Sequence, residues 1–407
     1  MDTAAVGVQQ GTYGTLFANS EFRALWLAQI LSVLGDQLAR VALTLLVYDR
    51  TRSPLLAAVT FAASVLPTFV GGLVLSPLAD RLPRRAVMIA CDLARMVLVL
   101  IMAIPGVPLP VLVGLLFTVT MISTPFTSAR SGMYPDILPG DSFALGTAVT
   151  MTTYQVALVA GFAGGGAAVG FFGVRPCLLA DAVTFGLSAL ITFIWVRPRP
   201  AARPAARPDG AAGREARRGG GMTAGVRMAF GRPALRTPML LGCLATFYVV
   251  PEGIAAPLAH SLGGGTLATG MILTAAALGP SVGAVAFTRL VRPAVRTRLM
   301  RPLAIACCAT LMLFALQPPL PPAFLIIVVS GLFDCFQMPA VAAFVHAAPA
   351  SHRSQLFGVA QAAMSLGQGA AMIAAGAIAE HVSPSATIAL GGAVGAVAAV
   401  VISAGPG

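Results

Sequence analysis

The sequence predicts an all-α membrane protein whose twelve transmembrane helices form two six-helix bundles, and three observations predict it. Of the 407 residues 57% are apolar and only 10% charged, with a mean hydropathy of +0.87; a soluble domain carries about 25% charged residues. Apolar runs of about 20 residues, the length that crosses a hydrocarbon core as a helix, recur as six, then one basic stretch, then six more. Arginines, in a chain without lysine, collect in alternate loops between those runs.

Residues 1–20 read as a short polar tail, without the charged, apolar and small-residue segments of a signal peptide in order. The N-terminal bundle, 21–196, is expected from runs at about 22–47, 55–78, 86–104, 109–127, 143–170 and 174–196. Residues 197–236 form a basic linker, rich in Arg, Pro, Ala and Gly as far as Gly225 and too poor in apolar surface to pack. The C-terminal bundle, 237–407, follows from runs at about 238–258, 267–288, 299–317, 321–345, 355–379 and 385–404. Gly and Pro interrupt these runs often, which membrane helices tolerate because neighbouring helices re-satisfy the freed backbone groups.

Arginine sets the orientation. With the N-terminus inside, the inner loops hold Arg23, Arg81, Arg84, Arg85, Arg130, the ten from Arg197 to Arg236, the five from Arg289 to Arg301, and Arg353; the outer loops hold Arg50, Arg52 and Arg175. The positive-inside rule then puts both termini and the linker in the cytoplasm of a cell-membrane protein. On one face of a soluble chain the formal charge of +12 would indicate nucleic acid, but here it is spread over membrane loops. The expected partners are the lipid bilayer and a small-molecule substrate, not nucleic acid, and the expected state is a monomer.

Several chemistries lack a signature. The six cysteines lie inside apolar runs with no CxxC or Cys/His spacing, so they read as packed thiols and no metal is expected. The four histidines fall in loops or at span ends, and there is neither a Ser/His/Asp constellation nor a GxxxxGK[ST] loop. The chain is not expected to be an enzyme or an ATP-driven pump, and no cofactor is expected beyond a proton gradient.

The informative residues are charges inside the spans, each of which costs a few kcal/mol at helix centre and needs a partner or a use. Asp36 and Arg40 lie four apart in the first span, and Asp92 and Arg95 three apart in the third, so each couple shares a helix face. Either couple can neutralise itself or knit the first and third spans together. Asp181 lies nearer the outer end of the sixth span and reads as structural. Glu252 in the seventh span and Asp334 in the tenth have no base within a turn. Each is either a proton-carrying coupling group or a neutral acid hydrogen-bonded to a neighbouring helix. Gln361 and Gln368, seven apart in the eleventh span, share a face and can bond a substrate or another helix.

Between the second and third runs stands Ser76-Pro77-Leu78-Ala79-Asp80-Arg81-Leu82-Pro83-Arg84-Arg85. This charged turn resembles the loop between helices 2 and 3 of the major facilitator superfamily, a Gly-x-Leu-Ala-Asp-Arg-x-Gly-Arg-Arg pattern. Gly161-Phe162-Ala163-Gly164-Gly165-Gly166 in the fifth span resembles the antiporter motif of that family, with Phe162 at its proline. Phe22-Arg23-x-Leu25-Trp26, Gly35-Asp36 and Ser128-Ala129-Arg130-Ser131 resemble the efflux branch that includes macrolide and siderophore exporters. The fourth run, bounded at residue 127, lacks the intramembrane arginine of many proton-coupled members.

The resemblance implies the major facilitator fold, two halves with a substrate site between them near mid-membrane. It implies that the first, fourth, seventh and tenth helices line the cavity, bringing in Asp36, Glu252 and Asp334 with Phe117, Met121 and Tyr248. Asp80, Arg81, Arg84 and Arg85 would latch the halves together at the cytoplasmic side when the cavity faces outward. The function expected is secondary active export of a small amphipathic compound in exchange for protons. Uptake of a metabolite, or ligand sensing without transport, are the alternatives.

Overall fold

The computed structural model describes residues 12–75, 82–199, 222–349 and 352–404, and these are helical with short connections. Ten helices among the described residues are long and apolar enough to cross a membrane. The other two expected spans are present but fall outside that count for physical reasons. The second is split into Pro54–Ala62 and Pro67–Val74 by a turn ahead of Pro67, and the third, Arg84–Met102, carries Arg84, Arg85, Asp92 and Arg95.

Local chemistry fixes the starts and stops. Asn19 caps the first span, Ser20–Thr51, by accepting from the Glu21 and Phe22 amides at 3.0 and 3.2 Å, and its own amide donates to Ile137 O at 3.1 Å. The cap therefore also ties the start of the first span to the end of the fourth. Ser53 caps Pro54–Ala62, whose proline occupies the first turn, where no donor is lost. Gly173, at φ +84°, makes the reversal between the fifth span, Asp141–Phe172, and the sixth, Val174–Trp195.

Some boundaries differ from the sequence reading. The fourth span is one helix, Leu109–Ile137, passing through Pro125 and Pro135. Part of the N-terminal tail is packed: Tyr13–Ala18 is helical, Leu16 is buried, and Phe17 meets Trp26 edge to face. Of the linker, Met222–Gly231 is helical, and Arg199 pairs with Glu21 at 2.6 Å. Residues 1–11 of the tail and 200–221 of the linker lie outside the described residues.

The seventh and tenth spans are broken. The seventh runs Pro233–Cys243, Ala245–Tyr248, Val250–Gly253 and Ala255–Ser261; the tenth runs Leu320–Phe333, a tight 3₁₀ turn Asp334–Phe336, and Gln337–Ala347. Non-helical backbone at such depth is tolerated where it is buried in protein or lines a cavity.

The two bundles meet at the end of the molecule remote from the termini. One core there draws on both, with Val41, Ala58 and Phe61 against Ile254, Leu258 and Met372. Small residues permit the approach: a Cβ on Gly166 of the fifth span would come within 2.6 Å of Gly270 Cα in the eighth, Thr266–Leu290. A Cβ on Gly376 of the eleventh span, Arg353–Ala379, would likewise meet Ala58 Cβ at 2.6 Å. Ser53 donates to Glu380, and Tyr48 meets His260 edge-on at 6.0 Å. At the termini end each apolar cluster among the described residues belongs to a single bundle, Phe22 with Met133 and Leu138 in one, Leu235 with Phe344 and Leu356 in the other. The halves are thus sealed at the far end and unjoined by any core at the termini end.

Candidate functional site

A cavity of about 790 Å³ is lined almost wholly by the N-terminal bundle; among the described residues that line it only Ala284 and Met338 belong to the C-terminal bundle. The first span supplies a polar stripe at helical spacing, Gln29, Ser32, Asp36 and Arg40. Arg95, Arg130, Tyr154 and Asp181 add the third, fourth, fifth and sixth spans. The size suits a drug-sized molecule.

Arg95 organises the charges. It is 1% exposed, and its Nη2 donates to both carboxylate oxygens of Asp36, at 2.6 and 2.8 Å. Its Nη1 reaches Ser32 Oγ at 3.2 Å and Asp92 Oδ1 at 3.5 Å. Asp92 is held in turn by Ser188, whose hydroxyl donates at 2.6 Å, and the Phe185 ring lies 4.0 Å from the guanidinium carbon. One cation and two carboxylates from the first and third spans, with Ser188 of the sixth, thus form a hydrogen-bonded unit, the arrangement in which a buried charge is tolerable. Asp36 therefore pairs with Arg95 and not with Arg40, its neighbour one turn along, because the third span presents its guanidinium directly to Asp36.

Asp181, nearer the Val174 end of its span as expected, is 1% exposed and lines this wall. Gly35 lets it in: a Cβ there would collide with the Asp181 carboxylate and the Thr184 hydroxyl. Arg40 lies over the Phe61 ring at 5.6 Å with its Nε unbonded.

Arg130, read from sequence as a loop residue, is 9% exposed inside the fourth span. The fourth span therefore does carry an inward arginine. Its guanidinium carbon lies 5.7 Å from the Phe126 centroid, its Nε has no acceptor, and no ion pair holds it among the described residues. An unpaired buried charge costs several kcal/mol, and a desolvated cation–π contact returns about 2 kcal/mol or somewhat more.

In the C-terminal half, Glu252 and Asp334 occupy the broken segments of the seventh and tenth spans. Asp334 is buried, accepts from Gln337 Nε2 on one oxygen and has no partner on Oδ1. Tyr248, near both acids, is 4% exposed and donates to Ala276 O at 2.8 Å. None of these three lines the cavity.

The sequence matches the Major Facilitator Superfamily profile over residues 25–345 and 253–404. The chain belongs to the major facilitator superfamily. Two curated relatives, YkuC and YfiS, are both uncharacterized MFS-type transporters of Bacillus subtilis (strain 168), 25% identical over 192 residues and 29% over 184. The matches cover 46% and 45% of this chain and 45% and 44% of those proteins, so the chain spans under half the length of the curated relatives it matches. Among solved structures, a POT family transporter in complex with 5-aminolevulinic acid superposes with a TM-score of 0.75 at 11% identity, covering 97% of each chain. The D-xylose-proton symporter gives 0.70 at 13% identity over 94% and 96% of the two chains, and the nucleoside transporter NupG 0.69 at 14% over 94% and 98%. At such identities the likeness shows the fold alone.

This major facilitator protein is accordingly a multi-pass membrane protein. The remaining expected site residues lie as follows. Phe117 is half-buried in the N-terminal core, and Met121 packs where a Cβ on Gly71 of the second span would touch it at 3.2 Å. Gln361 is exposed, Gln368 half-buried, and neither lines the cavity. Arg84 pairs with Asp136 at 3.0 Å and bonds Gly132 O, while Arg85 donates to Phe193 O and lies 5.1 Å from that ring. Both arginines are thus engaged inside their own bundle; Asp80 and Arg81 lie outside the described residues. Sequence reasoning missed Gln29, Arg130 and Tyr154, although the polar stripe from Gln29 to Arg40 was there to be read.

Proposed function

We propose that this transporter exports a small amphipathic compound in exchange for protons, from a cell membrane with both termini in the cytoplasm. The observation that carries the reading is a charge-lined cavity whose wall bears bonded carboxylates and guanidiniums and whose halves are sealed at the far end alone. On this reading the structure is the cytoplasm-facing form, and the seal must part and a termini-side contact form for cargo to leave. The residues resembling the efflux branch support the direction, and the arginine-rich loops support the orientation.

Glu252 is the first coupling group in this scheme, with Asp334 second. Both are carboxyls at helix breaks with no partner in ion-pair range among the described residues. Glu252 lies next to Ile254 of the core that joins the halves, so gain or loss of a proton there would change the charge beside that seal and link proton uptake to their movement. Asp36 is the reserve candidate, held by Arg95.

Growth of a drug-hypersensitive host on a panel of toxic amphipathic compounds, with and without the chain, identifies the cargo. Transport of that cargo is then driven by a pH gradient in proteoliposomes. Glu252→Gln is expected to keep cargo exchange between equal pools and lose accumulation driven by the gradient. If the chain raises sensitivity and fills cells with compound, it is an importer. If neither Glu252→Gln nor Asp334→Asn alters gradient-driven transport, coupling lies elsewhere.

A further inference from the structure

Two guanidiniums share the Phe126 ring, Arg95 at 5.9 Å and Arg130 at 5.7 Å from its centroid. They are not equivalent. Arg95 is bonded to Asp36 and Asp92; Arg130, also buried, has no carboxylate in ion-pair reach among the described residues. A cation kept in the bundle for architecture would be bonded as Arg95 is, since leaving a buried guanidinium unmatched is costly. Arg130 is on the cavity wall, which Tyr134 and Tyr154 also line.

We propose that Arg130 is the docking point for a carboxylate on the transported compound. The planar guanidinium presents paired N–H groups that match a carboxylate in two parallel bonds. Around it the cavity offers hydroxyls, from Tyr134, Tyr154 and Thr147, and farther along an apolar wall that includes Val33, Val99 and Leu116. The substrate class is therefore an amphipathic acid: an anionic head at Arg130 and an apolar body along that wall. Arg95 is excluded from the role because both of its terminal nitrogens are already bonded, to Asp36, Asp92 and Ser32.

The inference rests on the reading of the cavity as the transport site, but its test needs no transport. Equilibrium binding of dansylglycine, and of its uncharged methyl ester, is followed by fluorescence on the full chain in an uncharged detergent. Wild type is expected to bind the acid at least about tenfold more tightly than the ester, the worth of one hydrogen-bonded charge. Arg130→Met is expected to abolish that preference while melting at the same temperature as wild type or higher, because it removes an unmatched buried charge. Arg130→Lys, a point charge without the fork, should retain part of it. Equal binding of acid and ester by wild type overturns the proposal, as does an unchanged preference in Arg130→Met. A large fall in melting temperature in Arg130→Met, with the preference retained by Arg130→Lys at full strength, would mean that Arg130 is structural. Failure of proton-coupled export would leave these binding results untouched, and the reverse.

Discussion

At the residue scale the molecule turns on which charges are matched. Arg95 satisfies two carboxylates, so removing one partner leaves a charge in the bundle without its counter-ion. Asp36→Ala is expected to destabilise by about 3 kcal/mol, the low end for a buried pair, because the Asp36 side chain is 30% exposed. Arg40→Ala should cost much less, since Arg40 is not the partner. Denaturant titration in detergent compares the two, and equal losses would return Arg40 to the pairing. The couple at Asp92 and Arg95 was legible because three residues on one helix fix a shared face. The bond from Asp36 to Arg95 was not, because which helix delivers a guanidinium to a given acid is set by how spans pack, and spacing along one chain carries no trace of that.

At the scale of elements, apolar length made the spans legible and proline concealed one of them. Pro125, followed by Thr127, Ser128, Arg130 and Pro135, reads as a helix ending; the fourth span nevertheless continues to Ile137. Inside a bundle neighbours can satisfy the backbone that a proline frees, and with the helix goes Arg130 into the cavity wall. The glycine run of the fifth span stood out in the sequence, and the structure packs it against neighbours: Gly161 against Gln37, Gly165 against Val41, Gly166 against Gly270. Gly166→Val is expected to wedge the fifth and eighth spans apart, since even a Cβ comes within 2.6 Å of Gly270 Cα. Hydrogen exchange should then quicken in Pro54–Ala62 and near Gly376, where the same seal continues. Unchanged exchange there would mean that the contact between Gly166 and Gly270 does not hold the far end closed.

At the scale of the whole molecule, orientation is the premise on which direction of transport depends. A reporter inserted at Gly220, in the basic stretch, is expected to be active only in a form that requires the cytoplasm; activity in a form that requires the opposite side would reverse the proposed direction. The two-bundle plan was readable because repetition of apolar runs is a property of the whole chain. The uneven placement of the cavity was not, since order along the sequence assigns one lining helix to each quarter and gives both halves equal shares.

That unevenness divides the labour. With nearly all of the described wall in one half and only Ala284 and Met338 contributed by the other, the proposed transport function would have its chemical selectivity written in residues 20–195, while the C-terminal half, with Glu252 and Asp334 at its helix breaks, would act as the moving counterpart. A lineage of such proteins can change its cargo by substitutions confined to one half and leave the machinery of movement untouched, so the two halves are free to diverge at different rates.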